Sequence, residues 1–166
     1  MIKHLVEINV QNATAQQFYD FMINPSTKRY RAWWPGEHLD FHIVKPGDAD
    51  HLGDVVYMDE YLGGPSGPRL RFRGIVIAID RPKEITWQML KFGLRLPAFV
   101  TICMHDIPGG IVVKHELRIG YSGIGTILDP LIRLYFNKSF QNALETHCKI
   151  EWPKLAEYLE DKSHEN

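Results

Sequence analysis

The chain has 166 residues, 45% of them hydrophobic and 23% charged, which is enough apolar material for the core of one domain and rules out a chain disordered throughout. Nineteen Lys and Arg stand against twenty Asp and Glu for a net charge of −1, so no broad positive field exists to attract phosphate backbones, and no nucleic-acid partner is expected. The longest aliphatic run, Ile75 to Ile79, falls far short of the ~20 residues of a membrane span, and no basic stretch followed by an apolar one opens the sequence, so the expectation is a cytoplasmic protein with no integral membrane association.

Alternating His4, Val6, Ile8 and Val10 predict a first strand. A helix then starts near Thr14, whose hydroxyl can cap the first turn while Gln17 reaches back, with Phe18, Phe21 and Met22 as its buried stripe. Asn24-Pro25 ends it, and a second short helix runs through Arg31 before Trp33-Trp34-Pro35-Gly36 turns the chain. Six strands come next, at Asp40 to Lys45, Asp54 to Leu62, Leu70 to Asp80, Glu84 to Phe92, Ala98 to Ile107 and Ile111 to Tyr121. Their short Gly- and Pro-rich joints impose antiparallel pairing, since parallel crossovers need a dozen residues or more.

The last third changes period. Asp129-Pro130 caps a helix predicted to run to Trp152, where Pro153 should kink or interrupt it before Leu155 to Leu159. At 100° per residue, Ile132, Phe136, Phe140, Ala143, His147 and Ile150 fall within an arc of roughly 80°, with Leu144, Arg133 and Glu151 on its margin. That arc is the expected buried face. The domain is expected to span residues 1–160, with 161–166 a polar tail. Cys103 and Cys148 lack metal or redox spacing and are expected as reduced thiols.

This order of elements resembles the START-like or Bet v 1-like (SRPBCC) superfamily, and within it the polyketide cyclase/dehydrase group. Thr14-Ala15-Gln16-Gln17-Phe18-Tyr19-Asp20-Phe21 is similar to that group's first helix, Trp33-Trp34-Pro35-Gly36 to its tryptophan-rich turn, and Asp129-Pro130-Leu131-Ile132-Arg133-Leu134-Tyr135-Phe136 to the entry of its last helix. The resemblance implies an α+β helix-grip fold, in which a coiled antiparallel sheet of six to seven strands wraps a long C-terminal helix and two short helices come after the first strand. It also implies either binding of apolar or amphipathic molecules or polyketide chemistry. Members often carry Asn-His just after the Phe136 position; here Lys138 follows Asn137.

A sheet coiled around one helix leaves space between them that is either filled by aromatic rings or kept for a ligand. His147, mid-stripe on the helix, could hydrogen-bond a ligand or act as acid or base, or be a satisfied core histidine. Arg133 and Glu151 flank the stripe; Arg133 could meet a ligand carboxylate, or both could snorkel outward. The Pro108-Gly109-Gly110 hairpin allows two registers. A three-residue loop turns Cys103 and His105 inward. A two-residue loop, which the hydrophobic pattern favours, sets Val100, Ile102 and Met104 beside His115, Leu117 and Ile119. His115 faces inward in both. Tyr57, Asp59 and Tyr61 alternate on one strand and Ile85, Trp87 and Met89 on another; Tyr57 and Trp87 would give a cavity a flat wall with polar handles, Trp87 could equally fill core, and Asp59 is safer outward than buried without a partner. Arg69, Arg71 and Arg73 read as a solvated stripe. Trp33 and Trp34 either edge a lid or pack beneath the short helices.

The leading expectation is a protein that binds a hydrophobic or amphipathic small molecule, lipid, sterol-like or polyketide-like, through Tyr57, Trp87, His115, Leu117, Arg133, Phe136, Phe140 and His147. A cyclase or dehydratase using His147 or His115 is the second reading. An interaction module is the third, its cavity plugged by Phe136, Phe140 and Trp87 and its outer sheet face forming a homodimer. No HxH or HExxH appears, His38 and His42 lie four apart outside any helix, and no Gly-rich phosphate loop is present, so neither metal nor cofactor is expected.

Overall fold

Burial alternates along the first strand, β1 (Ile2–Gln11), where Val6, Ile8 and Val10 are buried between exposed neighbours. The computed structural model describes residues 2–64, 66–121 and 136–163. After β1 come α1 (Ala15–Ile23), α2 (Thr27–Trp33), β2 (His38–Lys45), β3 (Val55–Tyr61), β4 (Arg69–Asp80), β5 (Glu84–Lys91), β6 (Leu94–Ile107), β7 (Gly110–Ile119) and α3 (Lys138–Ser163). The Thr14 capping box forms as expected: the Thr14 hydroxyl accepts from the Gln17 backbone N–H at 3.3 Å, and Gln17 Oε1 accepts from the Thr14 N–H at 2.9 Å.

All seven strands form one antiparallel sheet in the order β1-β7-β6-β5-β4-β3-β2. The β6–β7 hairpin takes the two-residue loop, with Ile107 opposite Gly110 and Ile102 opposite His115. Cys103 and His105 therefore point away from the inner face, and His105 is exposed. Gly110 passes so close to β1 that a Cβ there would sit 2.0 Å from the Val10 carbonyl oxygen, so only glycine fits this corner of the sheet.

The β2–β3 ladder is irregular at Leu39. His38 pairs with Glu60 and Asp40 with Asp59, which leaves Leu39 as an extra residue. This bulge shifts the alternation, so His38 and Phe41 both face inward at 1% exposure.

The last helix departs from expectation at its start. Phe136 and Asn137 are not helical; Asn137 Oδ1 accepts from the Phe140 N–H at 3.0 Å and caps α3, which begins at Lys138. The predicted start at Asp129, with Ile132 and Arg133, lies outside the described residues. Counted from the true start, the buried stripe is Leu144, His147, Cys148, Glu151, Trp152 and Leu155, and Ile150, expected inside, is 42% exposed. Nor does Pro153 interrupt the helix, which continues through Ser163 and into the stretch expected as a tail. Trp152 and Leu155, at 1% and 0% exposure on either side of Pro153, anchor both halves and offset the single hydrogen bond that proline removes.

Aromatic rings join α1 and α2 to α3. Trp33 meets Phe21 edge-on at 5.3 Å and lies 5.8 Å from Trp152, and its Nε1 donates to the Glu151 carbonyl at 3.1 Å. The position of α3 against α2 is thus held at Glu151.

Candidate functional site

The sheet and α3 enclose an apolar cavity of ≈50 Å³ whose walls include Trp87, Met58, Met89, Leu117, Phe136 and Phe140. That is room for about four water molecules. It falls well below the ~300–1,000 Å³ of ordinary ligand pockets, so the described residues do not enclose the expected space for a whole lipid or sterol in this cavity. Trp87 is buried in the cavity wall over Gly74: a Cβ at Gly74 would approach the Trp87 Cβ to 3.3 Å. Met22, Met58 and Met89 contribute the adaptable part of the wall.

One end is aromatic. Phe136 and Phe140 pack edge to face at 5.0 Å, both half-buried. The other end, ~16 Å of helix rise further along α3, carries three ionisable side chains, Glu60, His115 and Glu151. The inner face of β3 presents Val56, Met58 and Glu60, so Tyr57, expected as a ligand contact, points to the outer face. There it lines an open cleft with Arg71, Arg73 and Phe92, and its hydroxyl donates to Asp59 at 3.2 Å. The reason is cross-strand pairing: Tyr57 lies opposite Arg73, Asp59 opposite Arg71 and Tyr61 opposite Arg69. Asp59 is nonetheless 5% exposed, because Arg69 covers it with two hydrogen bonds of 2.8 Å, which hold its carboxyl below the usual range. Arg133 lies outside the described residues.

His147 does not line the cavity. It is buried behind the cavity wall with Nε2 3.8 Å from Glu151 and 3.9 Å from Glu60. His38, which the sequence pattern missed, lies on the other side of the same carboxylates, its Nε2 3.4 Å from Glu151 and 3.9 Å from Glu60. One ligand atom from each of the four residues lies within 4.8 Å of every other, and all four residues are buried. Both nitrogens of both rings lack a hydrogen-bond partner. Stacking positions the rings instead: His38 lies flat on Tyr30 at 3.9 Å and 3°, and His147 on Trp34 at 4.8 Å and 21°. The Tyr30 hydroxyl donates to Glu60. Trp33 packs beneath the short helices, whereas Trp34 covers His147.

Electrostatics separates these groups. Burial alone would lower His147, but the Glu151 and Glu60 carboxylates, with Glu37 behind them, outweigh it and hold His147 up to about 9. Burial would raise Glu151, yet the two imidazoles carry it well below the usual carboxylate range. Glu60 is raised, mainly by burial. Enclosure holds His115 down to about 4, so it is a neutral imidazole at pH 7. Its Nδ1 lies 2.9 Å from the Cys148 thiol, whose own ionisation burial suppresses.

No family model and no curated protein matches this chain. Solved structures do match. A Rhodobacter sphaeroides protein superposes with a TM-score of 0.61 at 17% identity, covering 96% of this chain and 92% of its own. Ginseng major latex-like protein 151 from Panax ginseng gives 0.56 at 13% identity, covering 88% and 96%. A polyketide-cyclase-like protein from Corynebacterium glutamicum gives 0.51 at 14%, covering 99% and 94%. This chain has the Bet v 1-like helix-grip fold. The architecture that the sequence resemblance implied is therefore present in the described residues, and at these identities the likeness extends to the fold alone. Among the described residues no helix is long and apolar enough to cross a membrane.

Proposed function

We propose that the chain binds an amphipathic small molecule in the cavity between sheet and α3, its polar group at the Glu60, His115 and Glu151 end and its apolar part directed along α3 towards Phe140. The observation that carries this reading is the gathering of those three ionisable side chains at one end of an otherwise apolar hollow. The preformed space takes a head group and a few carbons; a longer guest displaces Met22, Met58 and Met89, whose unbranched side chains repack at low cost. Two carboxylates at the polar end favour a guest that donates hydrogen bonds, an alcohol, phenol or amine, and oppose an anionic head. Acid–base catalysis draws less support, because His147 stands behind the wall and His115 is a weak base of about 4.

A series of straight-chain alcohols tests the reading by displacement of the neutral dye Nile red. Each added methylene is worth ~0.8 kcal/mol, or about fourfold in affinity, and the gain should continue beyond four carbons as the methionines yield. Octan-1-ol should bind at least about tenfold more tightly than octanoate. Absence of alcohol binding, or equal affinity for octanoate, would refute the proposed polarity of the site.

A further inference from the structure

We propose that His38, Glu60, His147 and Glu151 form a binding site for one divalent first-row transition-metal ion. The site lies beside the cavity and is argued independently of any organic guest. Its four ligand atoms come from β2, β3 and two adjacent turns of α3, and each is presented by a residue less than a tenth exposed.

Geometry is the first ground. Nitrogen and oxygen ligands held ~2.1 Å from one ion at tetrahedral angles stand ~3.4 Å apart. The His38–Glu151 separation is 3.4 Å, and the other three imidazole–carboxylate separations are 3.8, 3.9 and 3.9 Å. Those three are too long for hydrogen bonds, and all four separations lie within about half an ångström of the edges of a coordination shell.

The second ground is the unpartnered nitrogens. His38 and His147 are each 1% exposed, and neither Nε2 has a hydrogen-bond partner although both are aimed at the carboxylates. Buried polar atoms are normally paired. An ion at the centre gives both Nε2 atoms the partner they lack, while Glu60 keeps the Tyr30 hydroxyl, and two neutral imidazoles with two carboxylates balance a charge of +2. Tyr30 supports the site in two ways, by stacking on His38 and by donating to Glu60.

The donor set selects the class of ion. Two imidazole nitrogens with two carboxylate oxygens suit Zn²⁺, Fe²⁺, Co²⁺ or Mn²⁺; Mg²⁺ and Ca²⁺ prefer oxygen alone, and Cu⁺ prefers sulfur. Because Glu60 and Glu151 also line the cavity, an ion held between them has an open side towards it.

The test uses the full chain, stripped with a chelator and titrated with Co²⁺ alone and then Zn²⁺ in competition, with no organic ligand present. The proposal predicts one Co²⁺ per chain, a visible absorption band of a four- or five-coordinate nitrogen/oxygen site, and its loss as Zn²⁺ displaces cobalt. Glu60→Gln and Glu151→Gln, which keep size while removing charge, should each weaken binding by at least the ~10–100-fold that accompanies loss of a supporting partner alone. His51→Gln, which alters a pair with Asp54 away from the cluster, should leave it unchanged. Where a glutamine variant does not fold, ¹⁵N NMR of the unaltered protein decides: Zn²⁺ should shift Nε2 of His38 and His147. Absence of saturable binding, unaltered affinity in both folded glutamine variants, or shifts confined to His42 and His51 would overturn the site while leaving the alcohol-binding experiment unaffected.

Discussion

Tyr30→Phe removes one oxygen atom from a buried polar corner of the protein and leaves everything around it in place. The ring, 1% exposed, keeps its stack on His38 at 3.9 Å and its contacts with Trp33 and Phe41. Only the hydroxyl donated to Glu60 is lost. Glu60 is 5% exposed, so no bulk water replaces that donor, and the two imidazole nitrogens nearest to it stand 3.9 Å away. A hydrogen bond to a charged group contributes ~1.5–3 kcal/mol, so the variant should be about 2 kcal/mol less stable. At this chain length that corresponds to a fall in Tm of about 4–8 °C. Urea unfolding of the metal-stripped protein, followed by tryptophan fluorescence, reads the change as a lower midpoint at unchanged slope, since Trp33 and Trp152 lie in the same aromatic cluster. A loss under about 0.5 kcal/mol would mean that Tyr30 does not hold Glu60 and would remove the support argued for the whole cluster.

Two more outcomes are expected of groups away from the cavity. Burial, with the Glu84 carboxylate beside it, raises the Cys103 thiol to about 11, so at pH 8 native Cys103 should be alkylated by iodoacetamide roughly 100-fold more slowly than an unperturbed thiol. Labelling at the ordinary rate in the folded protein would contradict its placement. Asp59 is lowered by its two hydrogen bonds from Arg69, so its contribution to stability is present above the ordinary carboxylate range and is lost as pH falls through its lowered value. Arg69→Met should therefore cost more stability at pH 7 than at pH 3 by urea midpoint, and an equal cost at both would show that the pair is not charged.

Much of the fold is legible in the sequence because its signals are local. Thr14 and Gln17 specify the start of α1 within one turn, and each strand from β3 to β7 is bounded by its own turn residues, so period and punctuation agree. The site is legible only in part, because what builds it is long-range. His38 shares parity with Asp40 and His42, which face outward, and only the extra residue at Leu39 turns it inward. A bulge leaves no mark in the hydrophobic pattern. Tyr57 and Glu60 sit in a strand whose two faces are both mixed; the face is decided by pairing with Arg69, Arg71 and Arg73 across a connection that no turn rule registers. The buried face of α3 departs from the expected arc because that arc is anchored partly on Phe136, which precedes the helix; within Lys138–Ser163, Cys148 and Trp152 face inside and Ile150 outside. His147 and Glu151 are visible as an i, i+4 pair, but their partners come from β2 and β3, so no spacing motif could assemble the four.

Entry of a guest between the sheet and α3 is the central claim, and the methionines report on it directly. Met22, Met58 and Met89 line that cavity, whereas Met104, at 0% exposure, is buried in the core and is not among the cavity's walls. A ¹³C-methyl-methionine NMR titration with octan-1-ol therefore separates the two regions in one spectrum. Saturable shifts of the Met22, Met58 and Met89 methyls are expected with Met104 unmoved; saturating alcohol that leaves those three signals in place, or moves Met104 alone, would contradict the claim.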